Sequence, residues 1–116
     1  MNPQFKEGDK LYVVTRRDMS PGYQGVQSMH GAIQFSVDHK EIHKAWFEQS
    51  NFLGWLSAKD EGELFELLAK ASRKQIKFSI WREPDVDNEI TAIAFEPGEA
   101  SMELCKKLPL ALKEFG

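Results

Sequence analysis

The chain has 116 residues, 41% of them hydrophobic and 28% charged, with 15 Lys/Arg against 18 Asp/Glu for a net charge of −3. This is the size of one domain, able to bury about two thirds of its unfolded surface without staples, and its acidic balance argues against generic coating of nucleic acid. A single cysteine, Cys105, excludes an internal disulfide and fits a reducing compartment; the start MNPQFKEGDK has no apolar signal core and no run approaches the ~20 apolar residues of a membrane span, so a cytoplasmic location and no membrane are expected.

Residues 1–9 read as a polar lead-in. Leu11–Thr15 is a short β-branched apolar run, the pattern of a strand buried on both faces. Asp18–Gly22 is turn chemistry, with Pro21-Gly22 stopping the strand. A helix follows over about Tyr23–Val37, where Val26, Met29, Ile33 and Val37 recur as one apolar stripe expected to face the core. Lys40–Gln49 forms a second helix with Ile42, Ala45 and Trp46 inward, and Phe52–Ser57 the next strand. Asp60 opens a third helix: with Glu63 it has the form of a capping box, and Leu64, Leu67, Leu68 and Ala71 supply the buried face before Arg73 and Lys74 close it. Ile76–Trp81 alternates as a strand, Glu83–Glu89 is an acidic turn, Thr91–Phe95 a last strand closed by Pro97-Gly98, and Ser101–Leu108 a final short helix, Cys105 being a buried inert thiol within it. Residues 109–116 are a tail without assignment. The order β-α-α-β-α-β-β-α implies one three-layer α/β/α domain over residues 1–116, with a small mixed four-stranded sheet covered by helices on both faces.

Two places carry chemistry. In open α/β sheets ligands gather outside the carboxyl ends of strands, and here Arg16–Gly22 leads from such an end into a helix N-terminus, whose free N–H groups favour an anion. On that helix Tyr23, Gln27, His30 and Gln34 share a strip beside the apolar stripe, half-way between core and solvent, where they either line a groove or satisfy nearby backbone as boundary residues. The second place is Glu83-Pro84-Asp85-Val86-Asp87-Asn88-Glu89. Asp85 and Asp87 lack the Gly turn and distal Glu of a calcium loop, and His39 and His43 have no third ligand, so neither a metal nor a cofactor is expected. From Glu83 to Cys105 there are acids but no Lys or Arg, while Lys10, Arg16, Arg17, Lys40, Lys44, Arg73, Lys74 and Lys77 spread over the earlier chain. Trp46 and Trp55 are read as core, and Trp81 as exposed beside the acidic turn, where an aromatic can stack on a base or shield a sheet edge.

The stretch R-R-D-M, then G-Y-Q-G-V-Q-S-M-H-G, together with E-P-D-V-D-N-E-I-T-A-I-A-F-E-P, resembles the type 2 peptidyl-tRNA hydrolases of archaea and eukaryotes. Their signature runs Arg-x-Asp-Leu, a Gly-Lys turn, then Gln-x-x-His-Ala. Arg16, Asp18, Met19, Gly22, Gln27 and His30 match it, over a likeness covering roughly Leu11–Leu108. The resemblance implies hydrolysis of the ester joining a peptidyl or acyl group to the tRNA 3′ ribose. It implies Asp85 as the residue that handles water, with Thr91 and Gln27 supplying hydrogen bonds, and Arg16, Arg17, Asp18, Gly22, Tyr23 and His30 lining the substrate site. Tyr23 stands where the family has its lysine and carries no charge near neutral pH, so Arg16 or Arg17 would have to supply the cation. The turn before Tyr23 is shorter than the family's, and its Gly-rich stretch after the aspartate is replaced by Val86-Asp87-Asn88-Glu89, which adds charge unfavourable to a polyanion. The competing reading is a non-catalytic relative whose cleft binds a nucleotide, an RNA end or a protein partner; an interaction domain with a vestigial cleft is a third. tRNA or a small nucleotide is the ligand to expect, and a homodimer is compatible with a domain of this size.

Overall fold

Apolar periodicity and turn chemistry carry through into the computed structural model, which describes residues 2–113; Met1 and the end of the expected tail, residues 114–116, lie outside the described residues. The elements are β1 (Lys10–Arg16), α1 (Pro21–Asp38), α2 (Lys40–Gln49), β2 (Phe52–Ala58), α3 (Glu61–Arg73), β3 (Phe78–Glu83), β4 (Glu89–Phe95) and α4 (Glu99–Cys105), with a 3-10 turn, Pro84–Val86, between β3 and β4. The sheet has the order β2-β1-β4-β3; β1 runs parallel to β2, and β4 is antiparallel to both its neighbours. One core lies between the sheet and α3/α4, built on Val14, Leu56, Leu64, Leu67, Ile93 and Phe95. The other lies under α1 and α2, built on Leu11, Val13, Phe35, Trp46 and Ala94. The expected element order, mixed sheet and two helical layers all hold.

Local chemistry sets most boundaries. Asp60 accepts from the Glu63 N–H at 3.0 Å while the Glu63 carboxylate reaches back to the Lys59 N–H at 2.7 Å, so α3 starts where its capping signal stands. Pro21 and Gly22 belong to the helix rather than to a stop before it. Proline suits the first helical turn, since its fixed φ is helical and its missing N–H would have had no partner there. β3 starts two residues later than expected and runs on through Glu83, because Ile76 is held to α3 by its N–H on the Ala71 carbonyl. α4 likewise occupies Glu99–Cys105 rather than Ser101–Leu108. The tail is not idle: Pro109 accepts from the Ser57 N–H and the Ala111 N–H donates to Trp55, which covers part of the outer edge of β2. Cys105 is 1% exposed, and burial pushes its thiol pKa up to about 12, as an inert core thiol requires.

The orientation of α1 overturns an expectation. Val26, Met29, Ile33 and Val37 are 47–60% exposed, and the buried face is Gln24, Gln27, Ser28, Gly31 and Phe35. Two causes turn the helix over. At Gly31 a Cβ would stand 3.2 Å from the Cβ of Ala92 on β4, so the helix seats closely on the sheet only along this small-residue line. The Gln27 amide is satisfied at both ends by two side chains of the sheet, which offsets the cost of burying it, and the Gln24 NH2 donates to the Met19 carbonyl at 2.6 Å while its oxygen has no partner among the described residues. Gly31→Leu should therefore force α1 off the sheet and destabilise the fold by about 1–3 kcal/mol, read as a lower midpoint in chemical denaturation. An unchanged midpoint would mean that α1 is not seated on Ala92.

Strand β4 carries the second local device. Trp81 pairs with Ala92 but Arg82 pairs with Ile90, so Thr91 is an extra residue with no opposite number on β3. Ile90, Ile93 and Phe95 enter the α3 core, whereas Ala92 meets Gly31 and Thr91 bonds Gln27 on the α1 side. Two successive side chains thus face α1, as a β-bulge produces. The backbone of Ile90 is satisfied off the ladder: its N–H donates to Glu61 at 2.8 Å, and its carbonyl accepts from Arg16 at 3.3 Å.

Candidate functional site

Strand alternation sends Ser79, Trp81 and Glu83 of β3 toward α1, where helical spacing presents Asp38, His30 and Gln27 in matching order. Ser79 donates to Asp38 at 2.7 Å, the His30 and Trp81 rings stack 4.2 Å apart and 6° from parallel, and Gln27 Nε2 donates to Glu83 Oε1 at 2.8 Å. Gln34 joins the same seam by donating to Asp38 at 2.8 Å, and Ser79 and Gln34 together hold that carboxyl below its ordinary range. Of the strip Tyr23–Gln27–His30–Gln34, Gln27 and His30 are thus paired to β3 and Gln34 to Asp38 of its own helix, and the apolar stripe beside it faces solvent.

At the seam's end the bulge brings in β4. The Thr91 hydroxyl donates to Gln27 Oε1 at 2.5 Å, and the Thr15 hydroxyl to the Thr91 carbonyl at 3.3 Å. Gln27 and Thr91 are 1% and 0% exposed, so both are enclosed, where the sequence placed Gln27 half-way to solvent. Glu83, 8% exposed, links them to the surface, its other oxygen accepting from the Asp85 N–H at 3.3 Å. The hydrogen bond from Gln27 keeps the Glu83 carboxyl below the usual carboxylate range, aided by the Asp85 N–H and by the nearby Trp81 indole and His30. The indole N–H itself lies outside hydrogen-bonding geometry, buried and unpartnered among the described residues. Trp81 is half-buried against His30, not exposed as expected, and Trp55 is half-buried in a groove of about 360 Å³ with Leu53 and Met29.

Tyr23 lies one turn ahead of Gln27. Its hydroxyl is buried with no partner among the described residues, and its pKa is raised by burial first, then by the charges of Glu83 and Asp85. The phenol is thus a protonated donor that both carboxylates feel. Asp85 is exposed on the 3-10 turn, and the turn closes through Asp87 and Asn88, both at positive φ, a conformation these two residue types tolerate. Their presence in the acidic segment is backbone chemistry. Among the described residues no three His, Cys, Asp or Glu side chains are grouped to hold a metal ion.

The strand-end residues divide. Arg16 is spent within the fold: Nε and Nη2 donate to Asp18 at 3.0 and 2.9 Å, and Nη1 to Glu89 at 2.6 Å. Asp18 in turn is held below its ordinary pKa by Arg16. This clip holds the strand beside the bulge through the Ile90 carbonyl. Arg17 is different, with Nη1 buried and unpartnered among the described residues. Gly22 is exposed on the first turn of α1. His39 bonds the Phe78 carbonyl at 3.1 Å and His43 lies against Trp46 and Phe47, which accounts for both without a ligand.

Glu83 is a site residue with a weak signal in the sequence: composition assigns it to an acidic turn, yet alternation from Ser79 through Trp81 reaches it because the strand continues up to Pro84. Thr91→Val, which keeps the shape but leaves the Gln27 carbonyl unpaired in an enclosed place, should cost about 1–3 kcal/mol of stability. A denaturation midpoint equal to that of the unaltered protein would show that the Thr91–Gln27 bond is not made.

The family model for peptidyl-tRNA hydrolase PTH2 matches residues 9–111. Two curated archaeal relatives are similar over most of the chain. A peptidyl-tRNA hydrolase of Thermococcus onnurineus (strain NA1) is 32% identical over 114 residues, 90% of this chain and 95% of its own. One of Thermococcus sibiricus (strain DSM 12597 / MM 739) is 30% identical over 102 residues, 81% and 86% of the two chains.

Proposed function

The chain belongs to the peptidyl-tRNA hydrolase PTH2 family, and on that premise we propose that it hydrolyses the ester between a peptidyl or acyl group and the 3′ ribose of tRNA at the mouth formed by Tyr23, Glu83 and Asp85. The observation that carries this reading is the enclosed chain Thr91–Gln27–Glu83. It ties the helix bearing Tyr23 and the turn bearing Asp85 to one carboxylate at the strand end.

Ester hydrolysis needs an attacking water, a group to orient or deprotonate it, and donors for the developing oxyanion. In this proposal Asp85, exposed on its turn, takes the proton of the attacking water. Tyr23 offers its phenol hydrogen to the oxyanion, and Arg17, whose guanidinium is not tied into the fold as that of Arg16 is, supplies positive charge at the strand end. Gln27 and Thr91 act from behind, holding the wall of the site. Gly22 and the first turn of α1 face the tRNA phosphates, and the His30–Trp81 stack forms the side wall. Arg16 and Asp18 serve the substrate indirectly, by fixing the strand end. No helix among the described residues is long and apolar enough to cross a membrane. The reaction is proposed for the cytoplasm, where translation supplies the substrate. The site is built within one chain, which is compatible with a monomer or a homodimer.

The test is release of tRNA from an N-acylated aminoacyl-tRNA. Turnover is the expected result; none at high enzyme concentration would overturn the hydrolase reading. The engagement of Arg16 by Asp18 and Glu89 favours one second reading, a cleft that binds a nucleotide or an RNA end without cleaving it. Saturable tRNA binding with no release would identify it.

A further inference from the structure

We propose that Glu83 is the positioning residue of this site, its carboxylate fixing the direction of the Gln27–Thr91 hydrogen bonds on one side and the turn that carries Asp85 on the other. Only the kinetic consequence rests on the hydrolase reading.

The geometry allows one arrangement. An ionised carboxylate accepts and cannot donate, so the face of the Gln27 amide turned to Glu83 Oε1 must be its NH2, at 2.8 Å. The amide oxygen then faces Thr91, and the Thr91 hydroxyl must spend its proton on it, at 2.5 Å. One buried charge thereby sets the donor-acceptor direction of two enclosed side chains that would otherwise be free to flip. The second oxygen of Glu83 accepts the Asp85 N–H at 3.3 Å, capping the 3-10 turn Pro84–Val86. The same carboxylate thus holds α1, which carries Tyr23 one turn before Gln27, and the turn that carries Asp85. Glu83 is the last residue of β3, and at 8% exposure it is not the solvated acid that the composition of its segment suggests. Its ionised state is favoured by the hydrogen bond it receives from Gln27.

Glu83→Gln keeps the size and removes the charge. A glutamine has one acceptor oxygen and one NH2, so it can keep the Asp85 N–H only if the Gln27 amide flips and reverses its bond with Thr91, or keep the Gln27 bond and set its NH2 against the Asp85 N–H. Two measurements follow. In ¹⁵N-resolved NMR of the full chain, the Gln27 side-chain NH2 or the Asp85 backbone amide should shift and exchange faster in E83Q, and Glu83→Asp, which retains the charge, should partly restore them. In the tRNA-release assay, E83Q should lower kcat by about 10²-fold, the size of a roughly 1 Å misplacement of reacting groups, with KM changed by no more than about threefold. Unshifted Gln27 and Asp85 resonances would overturn the proposal, as would a kcat within about twofold of the unaltered protein. If E83Q does not fold, E83D carries both measurements, since a shorter side chain must still displace the two bonds. If the unaltered protein releases no tRNA, the hydrolase reading fails and the amide resonances alone decide whether Glu83 orders the site.

Discussion

Asp85→Asn should reduce release of tRNA by about 10²–10⁴-fold, the usual worth of a positioned general base, with little change in KM or in stability. The substitution removes a charge and keeps the shape. Asp85 is exposed on its turn and makes no side-chain hydrogen bond among the described residues, so the fold loses nothing when the carboxylate becomes an amide. The backbone N–H that anchors the turn to Glu83 is retained. A stability change would therefore signal a structural role, and a rate change without one a chemical role. Undiminished turnover in this variant would remove Asp85 from the reaction and leave Glu83 as the remaining carboxylate at the mouth.

Tyr23→Lys should act in the opposite sense and raise hydrolysis. The resemblance places the family's lysine here, and the position is one turn from Gln27 and within the field of Glu83 and Asp85. An ammonium at this point would meet a developing oxyanion with full charge in place of one phenol hydrogen bond. An oxyanion-stabilising group is worth ~10²–10³ in rate, or about 2.7–4 kcal/mol. The opposing effect, a cation in the first turn of α1 against the helix dipole, costs only about 0.3–1 kcal/mol. The gain should prevail, and kcat should report it. No gain with an intact fold would count against this mouth as the place of reaction.

How much of this was legible beforehand follows from the range of each interaction. The β1 apolar run and the capping box of α3 are local chemistry, and each lies where the sequence put it, while the turn expected over Glu83–Glu89 is narrower because its end residues join β3 and β4. The face of α1 was not legible. Four large apolar residues at helical spacing outweigh Gln24, Gln27, Ser28 and Gly31 on any hydropathy reading, but Gly31 gains close approach to Ala92 and the Gln27 amide gains two distant partners. Gln27 reaches 56 residues ahead to Glu83 and 64 to Thr91, and no local pattern announces such pairs. The family resemblance implies Gln27, Asp85 and Thr91 as site residues; of these Gln27 and Thr91 bond each other, and Asp85 is tied to them only through its N–H on Glu83. The resemblance implies no role for Glu83, which the acidic composition of 83–89 assigns to a turn, and says nothing of the binding of Arg16 by Asp18 and Glu89.

The unpaired Thr91 gives this neighbourhood an arithmetic character. Side chains on a strand fall to one face or the other by odd and even count, and the extra residue between Ile90 and Ala92 shifts that parity by one. Thr91 faces Gln27 because of that shift; counted from Ala92 in an unbroken ladder, the same threonine would enter the apolar layer beneath α3 with Ile93, and Ile90 would turn toward α1. Loss of a single residue from this part of β4 would therefore dismantle the hydrogen-bonded chain while every side chain named in it was still present. The site is written partly as the identity of its residues and partly as the number of positions between them.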